Sequence, residues 1–233
     1  MFKGSQSLLV IVILTLLIGV EGTATALAQG RHPQDEALKR LDDNYKNLST
    51  VRANVTMDKY TLQIGDHEVS EGTVILLPIK GRDPAFRVDW TKPSNESLSV
   101  VNGEYIIWRA KMRQAIQGSV SKAKNSAAAG NAFAFMNMSK EQLKANYRPG
   151  YVGLENVRGG KPAWHIQLTP LKAADFQIAD LWIDVDGMPV QTKVTRKNGD
   201  STTILLTNIK KNVQVKTVDI KITLPKGIKP IDG

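Results

Sequence analysis

A chain of 233 residues with no cysteine cannot be a disulfide-stapled small domain or a cysteine-ligated metal protein. Its 42% hydrophobic content is enough for a sizeable core and excludes a disordered polyelectrolyte. The formal net charge of +9 favours anionic partners: membrane head groups, acidic proteins or nucleic acid.

Lys3 precedes an apolar run from Leu8 to Val20, and small residues follow it to Ala26-Leu27-Ala28. A basic start, a short apolar stretch and an A-x-A site describe a cleaved secretory signal. The run of about 13 residues is shorter than the ~20 needed to span a bilayer. Residues 1–28 therefore read as a signal peptide and 29–233 as a single mature domain. No cysteine sits at the cleavage point, so the expectation is a soluble exported protein without its own lipid anchor. The lack of disulfides suits a bacterial periplasm. An exported chain rarely meets nucleic acid, so none is expected as a partner. The scattered basic residues read as a solvated surface or as a dock for anionic lipid or an acidic protein.

A helix is predicted from Asp35 to Leu48, where Leu38, Leu41, Tyr45 and Leu48 make one apolar stripe. From Val51 the period changes to two. Val51, Ala53, Val55 and Met57 alternate with polar residues, as in a half-buried strand. Strand-like runs follow at Gly72 to Pro78, Phe86 to Trp90, Leu98 to Val101 and Tyr105 to Trp108, with a tight turn at Asn102-Gly103. Ser121 to Asn137 breaks this rhythm and ends in Phe133, Phe135, Met136 and Met138. A second helix starts at Ser139, with Gln142 as capping-box partner, and stops before Pro149-Gly150. Strands resume at Trp164 to Leu168 and at Ala179 to Val185. A hairpin, Met188 to Arg196 with Ser201 to Ile209, turns at Asn198-Gly199, and Val213 to Leu224 reads as the last strand. One long antiparallel sheet, curled around helices that cover its apolar face, accounts for this order.

No catalytic constellation is visible. His32, His67 and His165 do not fall at metal-ligand spacing, and no G-x-S-x-G, H-E-x-x-H or P-loop occurs. Asp184-Val185-Asp186-Gly187 is rejected as a calcium loop, because Trp182 and Lys193 occupy its first and last ligand positions. The reading is not an enzyme, with no metal and no cofactor.

The layout resembles the periplasmic lipoprotein carriers of the LolA type. The resemblance rests on the amphipathic helix with Leu and Tyr and on the strand from Val51-Arg52-Ala53. It continues through Gly72, Arg82 four residues before Phe86, Pro93, Asn102-Gly103, the aromatic strand Tyr105 to Trp108 and Gln114-Ala115. It closes on Ile222-Thr223-Leu224-Pro225-Lys226-Gly227-Ile228. The sequence departs from the family at Arg82-Asp83-Pro84, where Arg-Pro is common, and at Val88, where Trp is common.

The resemblance implies a mainly β fold with α, an open antiparallel half-barrel of about eleven strands under a helical lid. It implies a periplasmic carrier that delivers lipoproteins from the inner to the outer membrane, their acyl chains hidden between sheet and lid. An inner-membrane release transporter and an outer-membrane acceptor would be its partners, and a monomer is expected. Candidate cavity residues are Phe86, Val88 and Trp90, then Ile107, with Trp108 an open alternative for the inward side. Trp164, Ile166 and Leu168, then Leu181 and Ile183, then Leu205 complete the set. Arg82 takes the lid-fastening role by position, and Phe133, Phe135, Met136 and Met138 could form a lid that fills the empty cavity. A carrier for another amphiphile, or a sensor that binds lipid or protein without transport, would use the same fold.

Overall fold

The computed structural model describes residues 32–120, 122, 134–157 and 160–233. The expected signal peptide, residues 1–28, and Phe133 lie outside the described residues.

Helix α1 runs Pro33–Asn47, starting two residues before the predicted Asp35. Pro33 explains the difference, since its fixed φ suits the first helical turn. The His32 side chain accepts from the Gln34 backbone N–H, and Asp35, Glu36 and Lys46 complement the helix dipole. Ala37, Leu38 and Leu41 are buried. The other side carries the ion pairs Arg40–Glu36, Lys39–Asp43 and Lys46–Asp42. The surface pairs Arg40–Glu36 and Lys39–Asp43 contribute little, and Lys46 reaches over to the buried Asp42, whereas burying a leucine gives about 1.5–3 kcal/mol. The apolar stripe therefore holds the helix in place.

Six strands follow: β1 Val51–Thr61, β2 Asp66–Leu77, β3 Ala85–Lys92, β4 Glu96–Val101, β5 Glu104–Arg109 and β6 Gln114–Ser119. After α2, Lys140–Asn146, come β7 Tyr147–Asn156, β8 Pro162–Pro170, β9 Phe176–Asp184, β10 Pro189–Arg196 and β11 Ser201–Lys211. A short α3, Thr217–Ile220, and β12, Ile231–Asp232, complete the order. Among the described residues all twelve strands form one sheet, in the order β12-β6-β5-β4-β3-β2-β1-β11-β10-β9-β8-β7. Every pairing is antiparallel except β12 with β6. The end strands β7 and β12 do not meet, so the sheet is an open half-barrel with helices over its apolar face.

Local chemistry explains most of these elements. Asn102 and Gly103 both take positive φ, +55° and +77°, the geometry an Asn-Gly hairpin turn supplies. Ser139 caps α2 reciprocally with Gln142, as the sequence predicts.

Two expected elements differ and two strands were not foreseen, each for an identifiable reason. Strand β2 begins at Asp66, six residues before the expected Gly72, because its first residues are polar or exposed and carry no alternation. Strand β6, Gln-Ala-Ile-Gln-Gly-Ser, looks like loop in composition. Its Gly118 lies under Tyr105, whose hydroxyl would be 2.8 Å from a Cβ placed there. Helix α2 stops before Pro149-Gly150 as expected, but an unforeseen strand, β7, runs straight through that pair. Proline is tolerated because β7 is an edge strand. The Tyr151 N–H there donates to Gln34 Oε1 of α1 at 3.1 Å, which also blunts the edge.

Val213 to Leu224 is not a strand but an extended tail with α3 inside it. Strand β11 already pairs with β1 and β10, so no edge is free beside it. The tail instead lies on the outer face. Ile220 is buried, Asp219 pairs with Arg52 at 2.8 Å, and Arg87 Nη1 donates to the Lys221 carbonyl at 3.1 Å.

The inner face carries the core. Val51, Val55, Val74, Leu76 and Val100 are buried there with Leu143 of α2 and the stripe of α1 in one continuous apolar cluster. Helix α1 is seated on the β9–β10 turn at Gly187, which has φ +81°. A Cβ there would fall 2.0 Å from the Arg40 carbonyl oxygen. Gly187→Ala should cost about 2–6 kcal/mol, the sum of left-handed strain and overpacking. Gly65→Ala, with φ +65° and nothing within 4 Å, should cost only the strain, about 1–3 kcal/mol. Urea unfolding of both variants checks the difference. Equal losses would mean that α1 does not press on the turn.

Candidate functional site

The inner face brings together most of the residues expected to line a cavity. Phe86, Val88 and Trp90 share one side of β3 and are buried. Val88 pairs with Leu98, and Leu98 with Ile107, so Ile107 faces inward and Trp108 outward. Across the other half of the sheet, Trp164 is opposite Ile183 and Ile166 opposite Leu181, while Leu168 is opposite Ala179. Leu205 is the exception. It pairs with Thr56 and Gln191, whereas its neighbours Ile204 and Leu206 pair with the inward Met57 and Val55. Leu205 is buried on the opposite face. Ile204, Leu205 and Leu206 are all apolar and buried, so alternation could not reveal which of them turns inward.

These residues are packed against one another and against the helices. Val88, Ile166, Leu168, Leu181 and Ile183 are 0% exposed. The cluster that encloses them includes Leu38, Leu41, Phe135, Met136 and Leu143. Trp90 also borders a separate polar hollow of about 220 Å³ beside Lys59, Glu68 and Arg109.

Phe135 and Met136, expected in the lid, are 2% and 3% exposed. The Phe135 ring lies 5.4 Å from Tyr147 and 5.9 Å from Phe176. Burial and the Asp175 charge push the Tyr147 phenol above its usual range, marking the dryness of this corner. Met138 packs on the same cluster from its edge.

The fastening of this segment differs from expectation. The Arg82 side chain is exposed, and among the described residues its guanidinium has no hydrogen-bond partner. The link runs through the backbone instead. Buried Asn137 donates its Nδ2 to the Arg82 carbonyl at 3.0 Å and to the Ile79 carbonyl at 3.4 Å. The Gly81 N–H donates to the Tyr45 hydroxyl of α1 at 3.2 Å. The β2–β3 loop thus ties α1 to the Phe135–Met138 turn. A hollow of about 380 Å³ lies beside this junction, lined by Arg82, Asn137, Met138 and Gln142.

A second cluster lies on the outer face and was not foreseen. His165 Nε2 meets Asp180 Oδ1 at 2.8 Å, and its Nδ1 meets Glu155 Oε1 at 2.9 Å. Trp182 Nε1 donates to Glu155 Oε2 at 2.8 Å, and the Trp182 ring stacks on the imidazole at 4.3 Å. Burial alone would lower the His165 pKa, but hydrogen bonds and charges from Asp180 and Glu155 outweigh it and raise the value. The His165 and Trp182 hydrogen bonds hold the Glu155 carboxyl below its usual range. Alternation on β8 and β9 places His165, Asp180 and Trp182 on one face, the signal that could have found this cluster. The arrangement has no nucleophile beside the imidazole, so it locks β7, β8 and β9 together.

No family model and no curated protein matches this sequence. Solved structures do match. An uncharacterized conserved protein from Thermus thermophilus aligns at TM-score 0.53 and 15% identity, over 87% of this chain and 100% of that one. MucB aligns at TM-score 0.52 and 14% identity over 81% of this chain, which spans 62% of the length of MucB. A LolA superfamily protein from Nitrosomonas europaea aligns at TM-score 0.41 and 12% identity, over 81% of this chain and 97% of that one. Identities this low concern the fold alone. The fold is an open half-barrel similar to those of MucB and the Thermus thermophilus protein.

Two outcomes follow from the site geometry. Asn137→Ala should cost about 1–3 kcal/mol by leaving the Arg82 and Ile79 carbonyls without a donor, and Arg82→Leu should stay within about 0.5 kcal/mol of the parent. Chemical denaturation checks this; a large loss at Arg82 would return the fastening role to its side chain. The raised His165 pKa gives stability that is full below the unfolded value of about 6.5 and lost as pH rises through the folded value. The melting-temperature advantage of the parent over His165→Gln should therefore be larger at pH 5.5 than at pH 9. A pH-independent advantage would contradict the charged cluster.

Proposed function

We propose that this protein is an exported, periplasmic carrier of acyl lipid, and of lipoproteins in particular. In this reading residues 1–28 direct export and the single domain 29–233 works as a monomer without enzymatic activity. It would receive cargo from a release transporter at the inner membrane and pass it to an acceptor at the outer membrane. One observation carries the proposal: an unclosed sheet has its apolar inner face covered by side chains of α1 and of the Phe135–Met138 turn. Covers of this kind can be exchanged for acyl chains without breaking the sheet.

The energetics favour such an exchange. Each buried methylene contributes about 0.8 kcal/mol, so a few dozen give on the order of 20–30 kcal/mol against water. A membrane solvates the same chains equally well, so transfer from membrane to carrier is close to neutral. Exposing Leu38, Leu41, Phe135 and Met136 costs roughly 6–12 kcal/mol at about 1.5–3 kcal/mol each. A filled interior therefore sets a brake on loading, and displaced side chains must find new apolar contacts on the lipid. Methionine suits that repacking.

Tethering tests the exchange. The chain has no native cysteine, so Arg82→Cys with Met138→Cys, which border one hollow, can be joined by a short bismaleimide. Uptake of a fluorescent triacylated peptide should fall at least tenfold in the joined protein and persist in the unjoined double variant. Equal uptake by both forms would overturn exchange at the Phe135–Met138 turn.

A further inference from the structure

The β7–β8 and β9–β10 connections and the end of β11 meet at one rim of the half-barrel, around a hollow of about 420 Å³. Its floor is apolar: Val157, Met188, Val190 and Leu206 are all buried and continuous with the inner-face cluster. Its rim is charged with both signs, carrying Lys161, Lys211, Asp184 and Asp186. Asp184 is committed to the fold, because its Oδ1 accepts the N–H groups of Asp186 and Met188 at 3.0 and 2.8 Å. Asp186 is 71% exposed, and its Oδ2 lies 4.0 Å from Lys211 Nζ. An exposed pair at that separation is weakly held, so both groups can turn to a ligand.

We propose that this hollow binds one monoacyl zwitterionic lipid: its chain on the Val157–Met188–Val190–Leu206 floor, its phosphate at Lys161 and Lys211, and its primary ammonium at Asp186. The proposal deepens the carrier reading, on which it rests for placing lipid on this protein at all, and it concerns a site apart from the Phe135–Met138 turn.

Size and charge each narrow the ligand. The volume falls near the low end of the ~300–1,000 Å³ typical of small-molecule sites, enough for one chain and too small for three. A purely anionic head would face Asp186, and a purely cationic head would face two lysines. An uncharged sugar head would partly desolvate all three without pairing them, which costs free energy. A head with a phosphate and an ammonium pairs all three. An acyl chain would extend the apolar contacts of Val157, Val190 and Leu206, which the free head group would not make.

Calorimetry below the critical micelle concentration tests this on the mature protein. The probes are 1-lauroyl lysophosphatidylethanolamine, lauroyl lysophosphatidic acid, dodecylamine, dodecyl maltoside and free phosphoethanolamine. The zwitterionic lipid should bind at least tenfold more tightly than each of the others. Lys161→Glu with Lys211→Glu, both on exposed residues, should weaken it tenfold or more, and so should Ile209→Asn at the wall of the hollow. Equal affinity across the head groups, or binding unchanged in the double lysine variant, would overturn the proposal. If triacylated peptide is taken up while lysophosphatidylethanolamine is not, this site fails and the carrier reading stands. If neither binds, both fail.

Discussion

Everything in this molecule depends on covering the inner face of a sheet that does not close. Twelve strands in sequence leave β7 and β12 apart, so no closed barrel shields the apolar side chains. The cover must come from elsewhere in the chain, and α1 and the Phe135–Met138 turn supply it. Leu38 and Leu41 are buried to within 1% of completely, and a few hydrogen bonds at the helix margins add to what that burial holds. This makes the cover an assembly of separable parts. The sheet is held by its backbone ladders, whereas the cover is held by side-chain burial and a few hydrogen bonds at its margins.

Those margins are where the polar chemistry of the interior side is concentrated. Asn137, Tyr45 and the Ile79–Arg82 loop join α1 to the turn through backbone carbonyls and one backbone N–H. Arg40 Nη1 donates to the Val185 carbonyl at 2.6 Å, fixing the helix at the opposite rim, where Gly187 allows close approach. The outer face is braced differently. The tail after β11 lies across β1 and β3 through Asp219 and Lys221, with Ile220 buried between them, then adds β12 to the edge of β6. Around β8 and β9 the bracing comes from His165 between its two carboxylates. An inner cover held mainly by apolar contacts, over a sheet braced from outside, is what the proposed carrier role requires.

Much of this was legible in the sequence, for reasons that particular residues show. The stripe of α1, the alternation of β1, the Asn102-Gly103 turn and the Ser139–Gln142 capping box are local signals, and local physics decides them. Strand β7 was hidden because Pro149-Gly150 reads as a stop until the strand is known to be at an edge. The strand expected over Val213 to Leu224 failed because pairing is a matter of vacancy, and β11 had none. At the site, alternation placed Phe86, Val88, Trp90, Ile166 and Leu181 on one face, but it could not place Leu205 within an unbroken apolar triplet. The role of Asn137 was out of reach, since nothing in the sequence marks which buried amide will find two loop carbonyls.

Native mass spectrometry of the mature protein, before and after exposure to detergent-solubilised triacylated lipoprotein, tests the carrier role most directly. A carrier should show a one-to-one complex whose extra mass is the acylated cargo, and should lose that mass when acceptor membranes are added. An apo mass that stays unchanged under both conditions would contradict it.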